Sequence, residues 1–207
     1  MIEFRHVEKV FQGKTVFSDL NLELPENCLS ALTGQSGCGK TTLLNMLGRL
    51  EKPDSGQILL GGTDVADIRQ RDYFETRVAF LFQNFALLEG KTVRQNLSLI
   101  KGNARSGVSM EEALDRVGMG GAEDTKVYQL SGGEQQRVAL ARVMMKKADL
   151  ILADEPTGSL DRENAFLVME CLKNFAREGK TVVMVTHDLA LAGRADNVVE
   201  ITDKAAK

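Results

Sequence analysis

The residues best suited to chemistry are consecutive: Gly34, Gln35, Ser36, Gly37, Cys38, Gly39, Lys40 and Thr41. They fit the Gly-x-x-x-x-Gly-Lys-Ser/Thr spacing, in which glycines let the backbone curl until its N–H groups surround phosphate oxygens. On this reading Lys40 reaches the β- and γ-phosphates of a nucleotide and the Thr41 hydroxyl binds Mg²⁺. From Thr42 onward the chain has helical character, and that helix turns its positive end toward the same charge. A glycine-rich turn without function is the competing reading. The apolar run Leu29 to Thr33 before the loop and the segment Thr42 to Leu50 after it argue against that alternative.

A second apolar run, Leu150 to Ala153, ends at Asp154 and Glu155. Asp154 is suited to hold Mg²⁺ through water. Glu155, one residue further on, is suited to polarise an attacking water as general base, a role worth ~10²–10⁴ in rate. Standing alone, such a pair is an ordinary solvated strand end; the phosphate loop is what gives it a chemical meaning. A third run, Thr181 to Thr186, ends at His187, which has the same two readings.

Such groups must be brought together by a fold. Short apolar runs bounded by turn residues alternate with segments of helical period, which predicts an α/β domain on a largely parallel, buried sheet. Leu29 to Thr33, Val78 to Phe82, Leu150 to Ala153 and Thr181 to Thr186 read as buried strands, and Leu20, Leu22 and Leu24 alternate as in a half-buried one. Ligand crevices in open α/β sheets lie at the carboxyl ends of strands, so Gly34, Asp154 with Glu155, and His187 are expected at one site. Apolar residues at 165, 168, 169, 172, 175 and 176 form one helical face, and Gly179 is placed to end that helix. Between about Lys91 and Tyr128 the strand signal disappears. There, Ser109 with Glu112 predicts a capping box for a helix carrying Ala113, Leu114 and Val117, within a small helical insertion.

Composition excludes several classes. With 207 residues and 43% hydrophobic content the chain can bury a two- or three-layer core, so disorder is excluded. The 26 basic and 29 acidic residues nearly cancel, so no overall field favours nucleic acid, and no basic patch stands out; no nucleic-acid partner is expected. Cys28, Cys38 and Cys171 are odd in number and far apart, which reads as reduced thiols rather than a disulfide framework or a metal site. The start Met1-Ile2-Glu3-Phe4-Arg5 lacks a signal peptide's pattern, and the longest apolar runs are too short to span a membrane. Work at a membrane would require docking on another chain.

Absence of an Asn-Lys-x-Asp segment argues against guanine and for adenine. The string Leu130-Ser131-Gly132-Gly133-Glu134-Gln135-Gln136-Arg137 closely resembles the signature of the ATP-binding-cassette (ABC) ATPases, and the rest of the chain matches that family in order. Phe11 falls where the family stacks an aromatic on adenine, Gln83 at its glutamine loop, Ser159-Leu160-Asp161 at its D-loop, and His187 at its switch histidine. The resemblance implies a P-loop NTPase of ABC type, with a mixed-sheet core, an antiparallel β subdomain and a helical insertion. The core would occupy about 1–90 and 145–207, and the helical signature subdomain about 91–144, of a single domain.

The resemblance also implies a head-to-tail dimer with two ATP molecules between the subunits. In it, Ser131, the Gly132 and Gly133 amides, Glu134 and Asp161 would meet ATP held by the opposing chain. Gln83 would sense the γ-phosphate and Mg²⁺, and His187 would orient Glu155 and the water. Taken singly, Phe11 also reads as core, Gln83 carries little meaning, and Asp161 also reads as a helix cap. Phe82 to Leu88, with Pro156 to Asp161, is similar to the macrolide-export, lipoprotein-release and cell-division branch. Asn84 to Leu87 with Glu89, Thr92 and Val93 resembles lactococcin-type bacteriocin exporters within it.

What this implies is a cytoplasmic ATPase, peripheral on the inner face of the membrane, that energises export through a separate permease. A force-transmitting ATPase without transport is the alternative. A soluble DNA-repair or translation ATPase fits less well, because Gln83 and Ser131 are joined by a short segment and there is one cassette. Two departures stand out. Cys38 replaces the serine or alanine of many members, which reads either as a reactive thiol beside Lys40 or as a small residue that fits. The chain also stops soon after Ile201, where a C-terminal regulatory domain would need room.

Overall fold

In the computed structural model, residues 1–11, 13–202 and 205–206 are described. An opening hairpin of β1 (Ile2–Phe11) and β2 (Lys14–Leu24) is followed by β3 (Leu29–Thr33), the phosphate loop and α1 (Lys40–Leu47). Next come β4 (Ser55–Leu60), β5 (Thr63–Asp64), α2 (Gln70–Asp72) with a π-helical turn, and β6 (Val78–Phe82). The helices α3 (Val93–Leu97), α4 (Met110–Arg116) and α5 (Gly132–Met145) precede β7 (Leu150–Asp154). The chain closes through α6 (Arg162–Arg177), β8 (Thr181–Val185), α7 (Leu189–Ala192), β9 (Asn197–Thr202) and β10 (Ala205–Ala206).

Two sheets result. One is antiparallel in the order β2-β1-β4-β5; the other has the order β10-β9-β3-β8-β7-β6 and is parallel except for the antiparallel edge pair β10–β9. This is the mixed-sheet core with an antiparallel β subdomain that the sequence implies. The larger sheet is covered on both faces, which is why its central strands read as unbroken apolar runs rather than alternating ones. Ile151, Ala153, Val182 and Met184 pack toward α5 and α6, while Leu150, Leu152, Val183 and Val185 pack toward α1 and the antiparallel sheet. Each of the Ile, Leu, Val and Met side chains contributes roughly 1.5–3 kcal/mol by leaving water. The helices α3, α4 and α5 share the first of these cores, so the insertion is anchored to the sheet that carries the site.

Several expectations are corrected in detail. The helix expected over Thr42 to Leu50 runs from Lys40 to Leu47, and the chain leaves it where Arg49 turns to a positive φ of 57°. The capping box at Ser109 is half formed: Ser109 Oγ accepts from Glu112 N at 3.0 Å, but the Glu112 carboxylate accepts from Arg116 instead. At the end of α6, Gly179 (φ 85°) donates to the Ala176 carbonyl and Lys180 N to that of Phe175, the paired closure expected of a glycine there. The strand β1 escaped the period-two reading because its register shifts around Arg5 and His6. Ile2, Phe4 and Val7 are all buried at uneven spacing, and His6 takes φ 50°.

Candidate functional site

The phosphate loop leaves β3 and enters α1 with a geometry that requires glycine at both ends. At Gly34 (φ 137°) a Cβ would lie 2.3 Å from the Ile201 carbonyl oxygen, and at Gly39 (φ 101°) 2.7 Å from both Phe17 Cζ and Val16 Cγ1. Helix α1 starts without a side-chain cap, so its first-turn N–H groups face the loop's concavity. The Lys40 ammonium is nearly buried and donates to the Gly34 and Gln35 carbonyls, each at 2.8 Å. Cys38 Sγ lies 3.8 Å from that nitrogen but is only 4% exposed and packs into the core. The geometry favours a small residue that fits over a thiol open to reagents.

The next strands supply the acids. Phe82 pairs with Asp154 and Asp154 with Val185, so the ends of β6, β7 and β8 lie side by side. Thr41 Oγ1 donates to Asp154 Oδ1 at 3.1 Å, bringing the two expected metal groups together. Burial pushes the Asp154 carboxyl above its ordinary range, and the Thr41 bond offsets part of that. Glu155 leaves the strand through a left-handed backbone (φ 44°), and its Oε2 accepts from His187 Nδ1 at 2.8 Å. A cleft of about 550 Å³ is lined by Val16, Ser36, Gly37, Gly39, Lys40, Thr41, Thr42, Glu155 and His187. That volume suits a nucleotide-sized ligand.

Among the described residues no cluster of three or more His, Cys, Asp or Glu side chains could cage a metal. A hydroxyl beside one carboxylate is nevertheless the donor set Mg²⁺ uses when substrate phosphates and water complete its shell. The residues present therefore fit the ion.

Other expected site residues stand outside the cleft lining. Phe11 ends β1 at 47% exposure with the Lys9 ammonium 5.3 Å from its ring centroid. Gln83 follows β6, and its Nε2 lies 3.3 Å from where a Cβ on Gly158 would sit. Ser131 caps α5: its backbone N–H and its hydroxyl both donate to Glu134 Oε2 at 2.8 Å, and its Oγ accepts from Glu134 N. Those bonds, the backbone one first, hold the Glu134 carboxyl below its ordinary range. Gly132 and Gly133 form the first turn of α5, with Gly133 packed so closely that a Cβ would lie 2.7 Å from the Asn164 amide. Asp161 does cap α6, accepting from Asn164 N at 2.8 Å, which also lowers its pKa.

Sequence reasoning missed Val16, which reaches the cleft from β2, and Gln136, whose buried Nε2 donates to the Pro156 carbonyl beside Glu155 at 2.6 Å. Val16 was legible only through the hairpin register, since Phe11 pairs with Lys14. Gln136 lies within the signature string, which by itself gives no sign of this contact.

A family model described as "ABC transporter" matches residues 17–158. A macrolide export ATP-binding/permease protein of Shewanella sp. (strain ANA-3) is 38% identical over 208 residues, covering 97% of this chain and 32% of that protein. Its counterpart in Haemophilus ducreyi is 37% identical over 215 residues, covering 98% of this chain and 31% of that protein. The chain thus spans about a third of the length of these curated relatives. A solved dimeric ATP-binding cassette in a post-hydrolysis state, bound to ADP and Pi, is 31% identical with a TM-score of 0.85, covering 100% of this chain and 97% of that one.

Proposed function

The chain belongs to the ABC transporter family as an ATP-binding cassette, and on that premise we propose that it binds and hydrolyses ATP to energise export through a membrane permease. The observation that carries this reading is the Glu155–His187 pair, which faces Lys40 and Thr41 across a single cleft. The loop amides of Ser36 to Gly39, with Lys40, Thr41 and Thr42, hold the phosphates, and Phe11 stacks on adenine. Thr41 and Asp154, with Gln83, would hold Mg²⁺, which would supply charge neutralisation at the β- and γ-phosphates. Glu155 accepts a proton from the attacking water, and His187 holds the carboxylate in place through Nδ1.

Ser131, Gly132, Gly133, Glu134 and Asp161 lie outside their own chain's cleft, which supports their acting on nucleotide bound by a second copy. Two chains would then close head to tail over two ATP molecules. The solved dimeric relative supports a dimer, and the ATP-binding/permease naming of the curated relatives supports a membrane partner. Among the described residues no helix is long and apolar enough to cross a membrane, so the transport path would lie outside them. We place the cassette at the cytoplasmic face of the cell membrane. The 1–90 and 145–207 segments would act as the ATPase core and 91–144 as the signature subdomain.

The test is Glu155→Gln. The variant should bind ATP and persist as an ATP-loaded dimer by light scattering, while turnover falls ~10²–10⁴-fold. Turnover at the wild-type rate would remove Glu155 from the role of base, and failure of ATP to bring two chains together would remove the sandwich.

A further inference from the structure

The segment after Gln83 is strained and is held mainly from the helical side. Phe85 and Ala86 both take positive φ, 60° and 48°, although neither is glycine. Ala86 N donates back to the Asn84 carbonyl at 2.6 Å, closing a γ-turn with its central residue in the unfavourable hand. Such a conformation persists only when its surroundings over-determine it. Here the surroundings are the guanidinium of Arg142, which donates to the Phe85 carbonyl at 2.8 Å and also to the Ala86 carbonyl. Both acceptors are carbonyls rather than carboxylates, so the planar fork is used for its geometry and not for charge pairing. Burial also lowers the pKa of that guanidinium.

Apart from Phe85 N, which donates to the Phe82 carbonyl at the end of β6 at 3.0 Å, the anchors of this segment lie on the helical side. Arg142 belongs to α5, whose N-terminus carries Ser131 and Gly132, and the Phe85 ring lies 3.7 Å from where a Cβ on Gly132 would sit. Two residues on, Leu88 is clamped by the buried Asn96 of α3, which accepts from Leu88 N at 2.7 Å and donates to its carbonyl at 3.1 Å. Gln83, by contrast, directly follows β6, whose last residue pairs with Asp154. Gln83 thus sits inside a turn closed by the Phe85 N to Phe82 carbonyl bond, between the end of β6 and carbonyls held by α5.

We infer that Arg142 is a positioning residue for Gln83: by holding the Phe85 and Ala86 carbonyls it fixes the strained turn that sets where Gln83 lies, and ties that placement to the signature helix. Any displacement of α5 relative to the sheet is thereby transmitted to Gln83 through a turn that cannot stretch. This rests on the role given to Gln83 above.

The test uses the full chain with Arg142→Met, Arg142→Lys, Gln83→Ala and the double variant Gln83→Ala/Arg142→Met. Hydrogen exchange of the peptide covering 83–88 should accelerate at least ~10-fold in Arg142→Met while that covering β7 is unchanged, since only the held turn loses its tether. Turnover should fall about 10-fold in each single variant, with KM for ATP within about twofold, and the double variant should be no more than about twofold worse than either. Arg142→Lys, which can meet one carbonyl but not both, should fall between wild type and Arg142→Met in exchange. It also carries the test if Arg142→Met does not fold. Unchanged exchange at 83–88, or single effects that multiply to about 100-fold in the double variant, would overturn the inference. If Gln83→Ala alone keeps full turnover while exchange still rises in Arg142→Met, the role of Gln83 fails and the tether stands.

Discussion

Glu155 occupies a conformation that suits its chemistry and not its side chain, and this can be measured as stability. Its φ of 44° places a residue with a Cβ in the left-handed region. It also precedes Pro156, where the backbone prefers extended geometry. The conformation is imposed from both sides: Glu155 N donates to the Val185 carbonyl at 3.0 Å, and Gly158 N returns to the Glu155 carbonyl at 3.1 Å. Left-handed backbone costs a residue with a Cβ about 1–2 kcal/mol, which glycine avoids. Against that, glycine loses about 0.5–1 kcal/mol of extra chain entropy on folding. Comparing Glu155→Gly with Glu155→Ala removes the carboxylate and its bond to His187 from both, so only the Cβ term remains. Glycine should then be the more stable variant by about 0.5–1 kcal/mol, the reverse of the usual order, or about 1–4 °C in Tm for a chain of this size. Urea unfolding of both variants without nucleotide, checked by calorimetry, measures the difference. If alanine equals or exceeds glycine, the backbone at 155 is not strained, and the idea that the turn exists to re-aim this carboxylate toward His187 is wrong.

Three further outcomes follow from the same geometry. Gly39→Ala drives a Cβ to 2.7 Å from the buried Phe17 ring at a φ of 101°; urea unfolding should show a loss of about 2–4 kcal/mol together with weaker ATP binding, and a loss under about 0.5 kcal/mol would contradict the packing argument. Asn96→Ala strips partners from Leu88 N, Leu88 O and Thr92 O around a fully buried amide; it should cost about 2–4 kcal/mol, and a near-neutral urea midpoint would mean that water replaces the clamp. Glu134 has its folded pKa held below the ordinary 4.5 by Ser131, so its ionised form is favoured in the folded state and its stabilisation is complete above that value. That contribution is lost as pH falls through the folded value. The stability gap between wild type and Glu134→Gln should therefore be constant from neutral pH down to about 5 and shrink once pH falls below 4.5, and a gap that does not shrink below 4.5 would refute it.

The chemistry was legible early because its groups are consecutive and sit at strand ends. The phosphate loop, Asp154 with Glu155, and His187 each terminate an apolar run, and a parallel sheet aligns such ends at one edge, so their meeting in one cleft follows from topology alone. Phe11, Gln83, Ser131 and Asp161 were legible only through resemblance, since a single aromatic, amide or cap has an equally good local use. Asp161 and Ser131 do cap their helices. The strand β1 was obscured because its bulge destroys the period that marks a strand.

By itself, then, the order of residue types determined the fold class, the buried sheet, the phosphate loop and the strand ends that carry acid and histidine, because these depend on spacing within a few positions. Tertiary structure alone decided which groups touch. Residues 142 and 85, and 136 and 156, are separated by stretches whose packing no local pattern encodes. The left-handed backbone at Glu155, Phe85 and Ala86 has the same origin: no local preference favours it, and it exists because distant carbonyls and donors hold it there.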